Sequence, residues 1–149
     1  VEGLTSEELS YRVGEANSIA WLVWHLSRIQ DDHIADAAQT DQLWTADGWA
    51  ERFDLPLDRS DVGFGHGTDE VAAVRVESAD LLTGYHDAVA TTTLGFVRGR
   101  TDHDLARVID ESWDPPVTLG VRLVSVVGDA WQHAGQAAFV RGIVQRNRS

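Results

Sequence analysis

Cysteine, methionine and lysine are absent from the 149 residues, and proline occurs only three times. Without cysteine the chain has no disulfide, no thiolate metal ligand and no thiol nucleophile of its own, so thiol chemistry would need a thiol brought by a substrate. No run approaches the roughly 20 apolar residues that cross a bilayer, and no charged stretch leading into an apolar one opens the chain. The expectation is a cytoplasmic protein with no membrane partner. Basic charge is scarce too: 12 arginines stand against 24 acidic residues, a formal net charge of -12. Such a chain repels a phosphate backbone, and its arginines form no patch, which argues against nucleic acid. Arg141, Arg146 and Arg148 read as an exposed tail.

What the chain has in abundance is helical patterning. Its length fits one domain over residues 1–149, and a hydrophobic content of 43% is enough for a core. Leu22, Leu26, Ile29 and His33 recur at steps of four, three and four, which predicts a helix from Asn17 to about Gln39 with Asn17 or Ser18 as N-cap. Val71, Val74, Ser78, Leu81, Tyr85, Ala88 and Thr92 predict a second helix from Thr68 or Asp69 to about Val97, weakened at Gly84. A third runs from Leu119 to Gln145 behind Thr118, carrying an unbroken stripe through Leu123, Val126, Ala130, His133, Ala137, Val140 and Val144.

The segments between are short or broken. Thr5 to Leu9 reads as one capped turn and Thr45 to Phe53 as a short helix. Asp54 to Gly67 reads as a long loop, and Gly99 to Val117 as a connection with a helical turn near Asp104 to Val108, stopped by Pro115 and Pro116. No strand is expected. Three long amphipathic helices leave an apolar groove that needs a fourth, so a first bundle helix is expected upstream of Val1, or else a homodimer.

The chemistry sits on two of these helices. Asp129 precedes His133 by four residues, which puts both on one face about one turn apart. That spacing suits a metal, offering a hard oxygen and a borderline nitrogen to a common point, but it suits a plain ion pair equally well. His25 lies among Trp21, Leu22, Val23, Trp24 and Leu26, where a desolvated imidazole needs a partner. It is either a buried histidine bonded to a carbonyl or a third metal ligand. Asp32 and His33 follow two turns later and either stand behind the ligands or line the pocket, or else belong to a solvated helix face, whereas Asp31 reads as solvated. His66, His86 and His103 read as surface residues. Of the six tryptophans, most fit packing, while Trp24 and Trp131 stand beside proposed ligands as pocket walls.

The stretches Asn17-Ser18-Ile19-Ala20-Trp21-Leu22-Val23-Trp24-His25 and Asp129-Ala130-Trp131-Gln132-His133-Ala134-Gly135-Gln136 resemble the two hallmark segments of DinB-like four-helix bundles. More broadly they are similar to the metal-binding domain of mycothiol-dependent maleylpyruvate isomerase and related thiol transferases. The likeness extends through Trp113-Asp114-Pro115-Pro116 and the Arg141-Gly142 end, and lacks only the family's first helix. It implies an all-α bundle with a long crossover and a divalent metal, Zn or Ni, held by His25, Asp129 and His133, with Gln136 beside it. Many members carry histidine where this chain has Asp129; the isomerase-like branch carries a carboxylate, usually glutamate. The shorter aspartate implies a metal closer to the last helix or one bound through water. The implied function is thiol transfer or isomerisation with mycothiol and an electrophilic co-substrate. A non-catalytic metal-stabilised binding module and a metal-dependent hydrolase are the alternatives.

Overall fold

The computed structural model describes residues 1–148. Thr5 and Glu8 close a capping box around α1 (Ser6–Leu9), which buries Leu9. The Ser18 hydroxyl accepts from the Trp21 amide and opens α2 (Ile19–Ala38), which ends where Gln39 turns left-handed. Two short helices follow, α3 (Leu43–Ala46) and α4 (Trp49–Phe53). One helix was expected here; Gly48 at φ +70° divides it. Next come α5 (Thr68–Ala73) and α6 (Ala79–Arg98), then α7 (Asp102–Leu105), β1 (Val108–Asp110), β2 (Val117–Thr118) and α8 (Leu119–Arg146) behind the Thr118 cap.

The second long helix of the sequence reading is therefore two. Val74 and Val76 are both buried, and in an extended segment their two-residue spacing turns both inward. The Ser6 hydroxyl donates to the Val76 carbonyl at 2.6 Å, fixing that segment across α1. The pattern from Val71 to Ser78 satisfies both periods, and tertiary packing selects the extended one. A short antiparallel pair, Val108 opposite Thr118 and Asp110 opposite Val117, replaces the expected strand-free connection. Two β-branched pairs flanking a proline turn are too short to register as periodicity. The arginine tail is also tied down: Arg141 donates to the Glu2 carbonyl, and Arg148 pairs with Glu8 and the Gly3 carbonyl.

α2 is the central element. It packs against α8 on one side and α6 on the other, and buries residues around most of its circumference, which is why it reads as apolar almost throughout. Gly84 makes room on α6, since a Cβ there would stand 3.1 Å from the Trp49 ring. Between α2, α6 and α8 lies an apolar groove of about 410 Å³, lined by Val23, Leu26, Thr83, Trp131 and Ala134 among others. Val124, Val127 and Trp131 remain exposed on α8. No helix among the described residues is long and apolar enough to cross a membrane.

Candidate metal centre

α2 and α8 bring His25, Asp129 and His133 to one point, their ligand atoms all within 4.8 Å of one another. Asp129 Oδ1 stands 3.4 Å from His133 Nε2 and 3.9 Å from His25 Nε2. His25 is 5% exposed. Its Nδ1 lies 2.5 Å from the Val62 carbonyl oxygen, an acceptor only, so Nδ1 carries the proton and Nε2 presents a lone pair. His133 repeats the arrangement: Nδ1 donates to Gln136 Oε1 at 2.9 Å, and Nε2 turns toward Asp129. With both rings neutral, two lone pairs face a carboxylate, and the other oxygen, Asp129 Oδ2, is buried without a hydrogen-bond partner. Such a cluster of acceptors is repulsive alone and satisfied by a cation. A divalent ion bonded at about 2.1 Å sets neighbouring donors roughly 3.4 Å apart in a tetrahedron, so the Asp129–His133 pair already has that spacing and His25 would close in by roughly 1 Å.

A plain ion pair would require one of the rings to hold a second proton. Burial pushes the His25 imidazole below its ordinary pKa, and the Val62 hydrogen bond and Asp129 charge offset this only partly. The folded state therefore favours the neutral ring. The stability tied to that preference is complete above the unfolded value of about 6.5 and is lost as pH falls through the lower folded value. Metal-free protein should lose melting temperature between pH 7 and pH 5.5, and His25→Gln, which cannot protonate, should flatten that slope. An unchanged slope in the variant would place the titration elsewhere.

The loop before α5 completes the site, and it holds the residue the sequence reading misplaced. His66 was expected on the surface, yet its side chain is only 4% exposed. Its Nδ1 accepts from Trp21 Nε1 at 3.0 Å, and its Nε2 donates to Asp61 Oδ2 at 2.8 Å. Burial pushes the Asp61 carboxyl up, but hydrogen bonds from His66 and the Gly63 amide outweigh it and hold the group below its ordinary value. Gly63, at φ +87°, lets the loop touch α2: a Cβ there would meet His25 Nδ1 at 2.8 Å and the Trp24 ring at 2.9 Å. The signal was present as glycine at 63, 65 and 67, a spacing that marks close backbone approach as readily as exposure.

The other anticipated residues divide. Gln136 reaches the cluster through His133. Trp24 is buried behind the loop, stacked at 6.0 Å on His66, while Trp131 is 80% exposed and lines the apolar groove. Asp32 and His33 are not brought to the cluster. They line a separate polar pocket with Asp110, Trp113 and Arg122, where Asp32 accepts from Gln42 at 2.7 Å. Asp31, expected in solvent, is buried and accepts from the Leu43 and Trp44 amides and the Tyr85 hydroxyl. Of the remaining histidines, His103 is exposed and His86 half-exposed.

No curated protein matches the chain. A solved structure of a conserved protein from Enterococcus faecalis is similar at 36% identity and a TM-score of 0.87, over 95% of this chain and 84% of that one. A family model described as mycothiol-S-transferase matches residues 1–145. The histidines and carboxylate described above lie within that match, on a mostly helical, DinB-like fold, and the chain belongs to the mycothiol S-transferase family.

Proposed function

We propose that the protein is a metal-dependent S-transferase of one cytoplasmic domain, holding a single divalent ion, Zn or Ni, on His25, Asp129 and His133. Its co-substrates on this reading are a small thiol of the mycothiol type and an electrophile. The observation that carries the reading is the convergence of the two Nε2 atoms on Asp129 Oδ1, with both Nδ1 atoms placed on oxygen acceptors elsewhere. Three protein ligands leave a coordination position open, the mark of a catalytic and not a structural centre. A bound divalent ion would supply Lewis acidity that keeps an incoming thiol as thiolate at neutral pH. The chain's own residues orient the two imidazoles, and Trp21, stacked on His25 at 4.5 Å, shields that ring from water. Lack of cysteine fits this division of labour, because no internal thiol competes for the open position. The apolar groove would be covered by a further helix or by a second copy in a homodimer.

Elemental analysis of protein purified without chelators should find about one divalent ion per chain. Adding mycothiol to the cobalt-loaded protein should produce a sulfur-to-metal charge-transfer band, followed by conjugation of electrophilic test substrates. A metal-loaded protein silent toward mycothiol, bacillithiol and glutathione alike would overturn the thiol-transfer reading in favour of a hydrolase or a binding module. Absence of metal, with no uptake of Zn or Ni, would overturn the site.

A further inference from the structure

Metal ligands gain affinity when their rings are held in one orientation and one tautomer, and for histidine the group on the non-ligating nitrogen does the holding. For His25 that group is not a side chain but the Val62 carbonyl, part of a loop with no regular structure. A loop carbonyl positions a ring only as well as the loop itself is fixed.

Three contacts fix it, all of them at Asp61, and one is made by His66. Asp61 Oδ2 accepts from His66 Nε2, while Asp61 Oδ1 accepts from the Gly63 amide at 2.7 Å, so the Asp61 carboxylate braces the backbone on both sides of Val62. The third contact is Arg28 Nε, which donates to the Asp61 carbonyl at 3.2 Å from the buried face of α2. The other nitrogen of His66 accepts from Trp21, whose indole lies over the His25 ring at 4.5 Å and 14° and meets His133 edge-on at 5.9 Å. One imidazole thus grips both neighbours of His25: the carbonyl at its edge, through Asp61, and the ring on its face, through Trp21. Trp24 backs His66 at 6.0 Å and 20°. Both His66 nitrogens are engaged and the side chain is buried, so it neither ligates nor meets solvent.

We infer that His66 is a positioning residue for His25, fixing through Asp61 and Trp21 the Nδ1–H tautomer and ring plane that aim Nε2 at the metal position. The metal part of this rests on the site proposed above; the tautomer part does not. The two arms make different demands. Glutamine at position 66 keeps an N–H near Nε2 for Asp61 but loses the acceptor for Trp21, and Trp21→Phe removes the indole donor while keeping an aromatic face on His25.

The test is nitrogen-15 histidine NMR on metal-free protein, paired with Zn titration against a chelating dye and a thermal melt. The wild type should show His25 as a single Nδ1–H tautomer. His66→Ala should show a mixture of tautomers and a Zn affinity lower by about 10- to 100-fold. His66→Gln and Trp21→Phe should fall between the two, with His66→Gln closer to wild type in tautomer because the Asp61 arm persists. Should His66→Ala fail to fold, these two milder variants decide the matter. Loss of melting temperature with an unchanged His25 tautomer in all folded variants would overturn the inference and leave His66 a packing residue. If the wild type takes up no Zn, the metal site falls, and the tautomer comparison still decides whether His66 orients His25.

Discussion

His133→Ala should strip the protein of its divalent ion, from about one per chain to a small fraction, while His103→Ala, altering an exposed residue on α7, should change nothing. One of three protein ligands is lost in a site whose binding free energy is on the order of 10 kcal/mol, so affinity should fall by at least roughly 10²-fold. Transfer activity should fall with it. Asp129→Asn sharpens the result because it separates a metal centre from an ion pair. In the metal-free protein two Nε2 lone pairs face Asp129 Oδ1, at 3.4 and 3.9 Å. An amide offers an N–H where the carboxylate offers only repulsion, so the metal-free variant should melt about 2–4 °C higher, as one new buried hydrogen bond predicts. It should also bind metal far more weakly. A protonated histidine paired with Asp129 predicts the opposite, a lower melting temperature, because the substitution would strip a buried cation of its partner. Competition dye titration and melting curves with and without EDTA distinguish these outcomes.

The parts legible in the sequence are those set by a single helix. The stripe of α8 and its Thr118 cap were readable because a long amphipathic helix states its own period, and Asp129 and His133 follow from that period at once. His25 was visible as a histidine in an apolar run; it is bonded to a carbonyl, and it also stands beside Asp129 and His133. What lay beyond reach depends on contacts between distant segments. Asp31 sits in an Asp31-Asp32-His33 run that looks solvated, and only the docking of α3 and α6 onto α2 turns it inward. His66 looks exposed until its loop folds back over Trp21 and Trp24. The break at Val74 to Ser78 was hidden because short stretches satisfy the helical and extended periods together.

The largest stability effect is expected at that misread aspartate. Asp31 Oδ1 and Oδ2 accept from the first two amides of α3, Leu43 at 3.0 Å and Trp44 at 2.8 Å, and so cap that helix from across the core. The Tyr85 hydroxyl on α6 donates to Oδ2 at 2.8 Å, and burial pushes its phenol well above the ordinary value, so it stays a donor. Arg28, wholly buried, stands 3.9 Å away and also donates to Gln42 Oε1 at 2.8 Å. Asp31→Ala strips that guanidinium of its ion-pair partner and leaves the Leu43 and Trp44 amides and the Tyr85 hydroxyl without their acceptor, a loss of about 3–5 kcal/mol. For a chain of this size the melting temperature should drop by roughly 10–15 °C. Replacing the pair together, Arg28→Met with Asp31→Leu, also removes the buried cation and should recover part of the loss, although those three donors stay unpaired. It should not recover the site, because Arg28 Nε is also what holds the Asp61 carbonyl at the root of the loop that orients His25. A double variant that melts above Asp31→Ala but keeps a weakened Zn affinity would show that this buried pair stabilises the bundle and aligns the proposed metal ligand as separable tasks. Equal recovery of both would mean that the loop is held without Arg28.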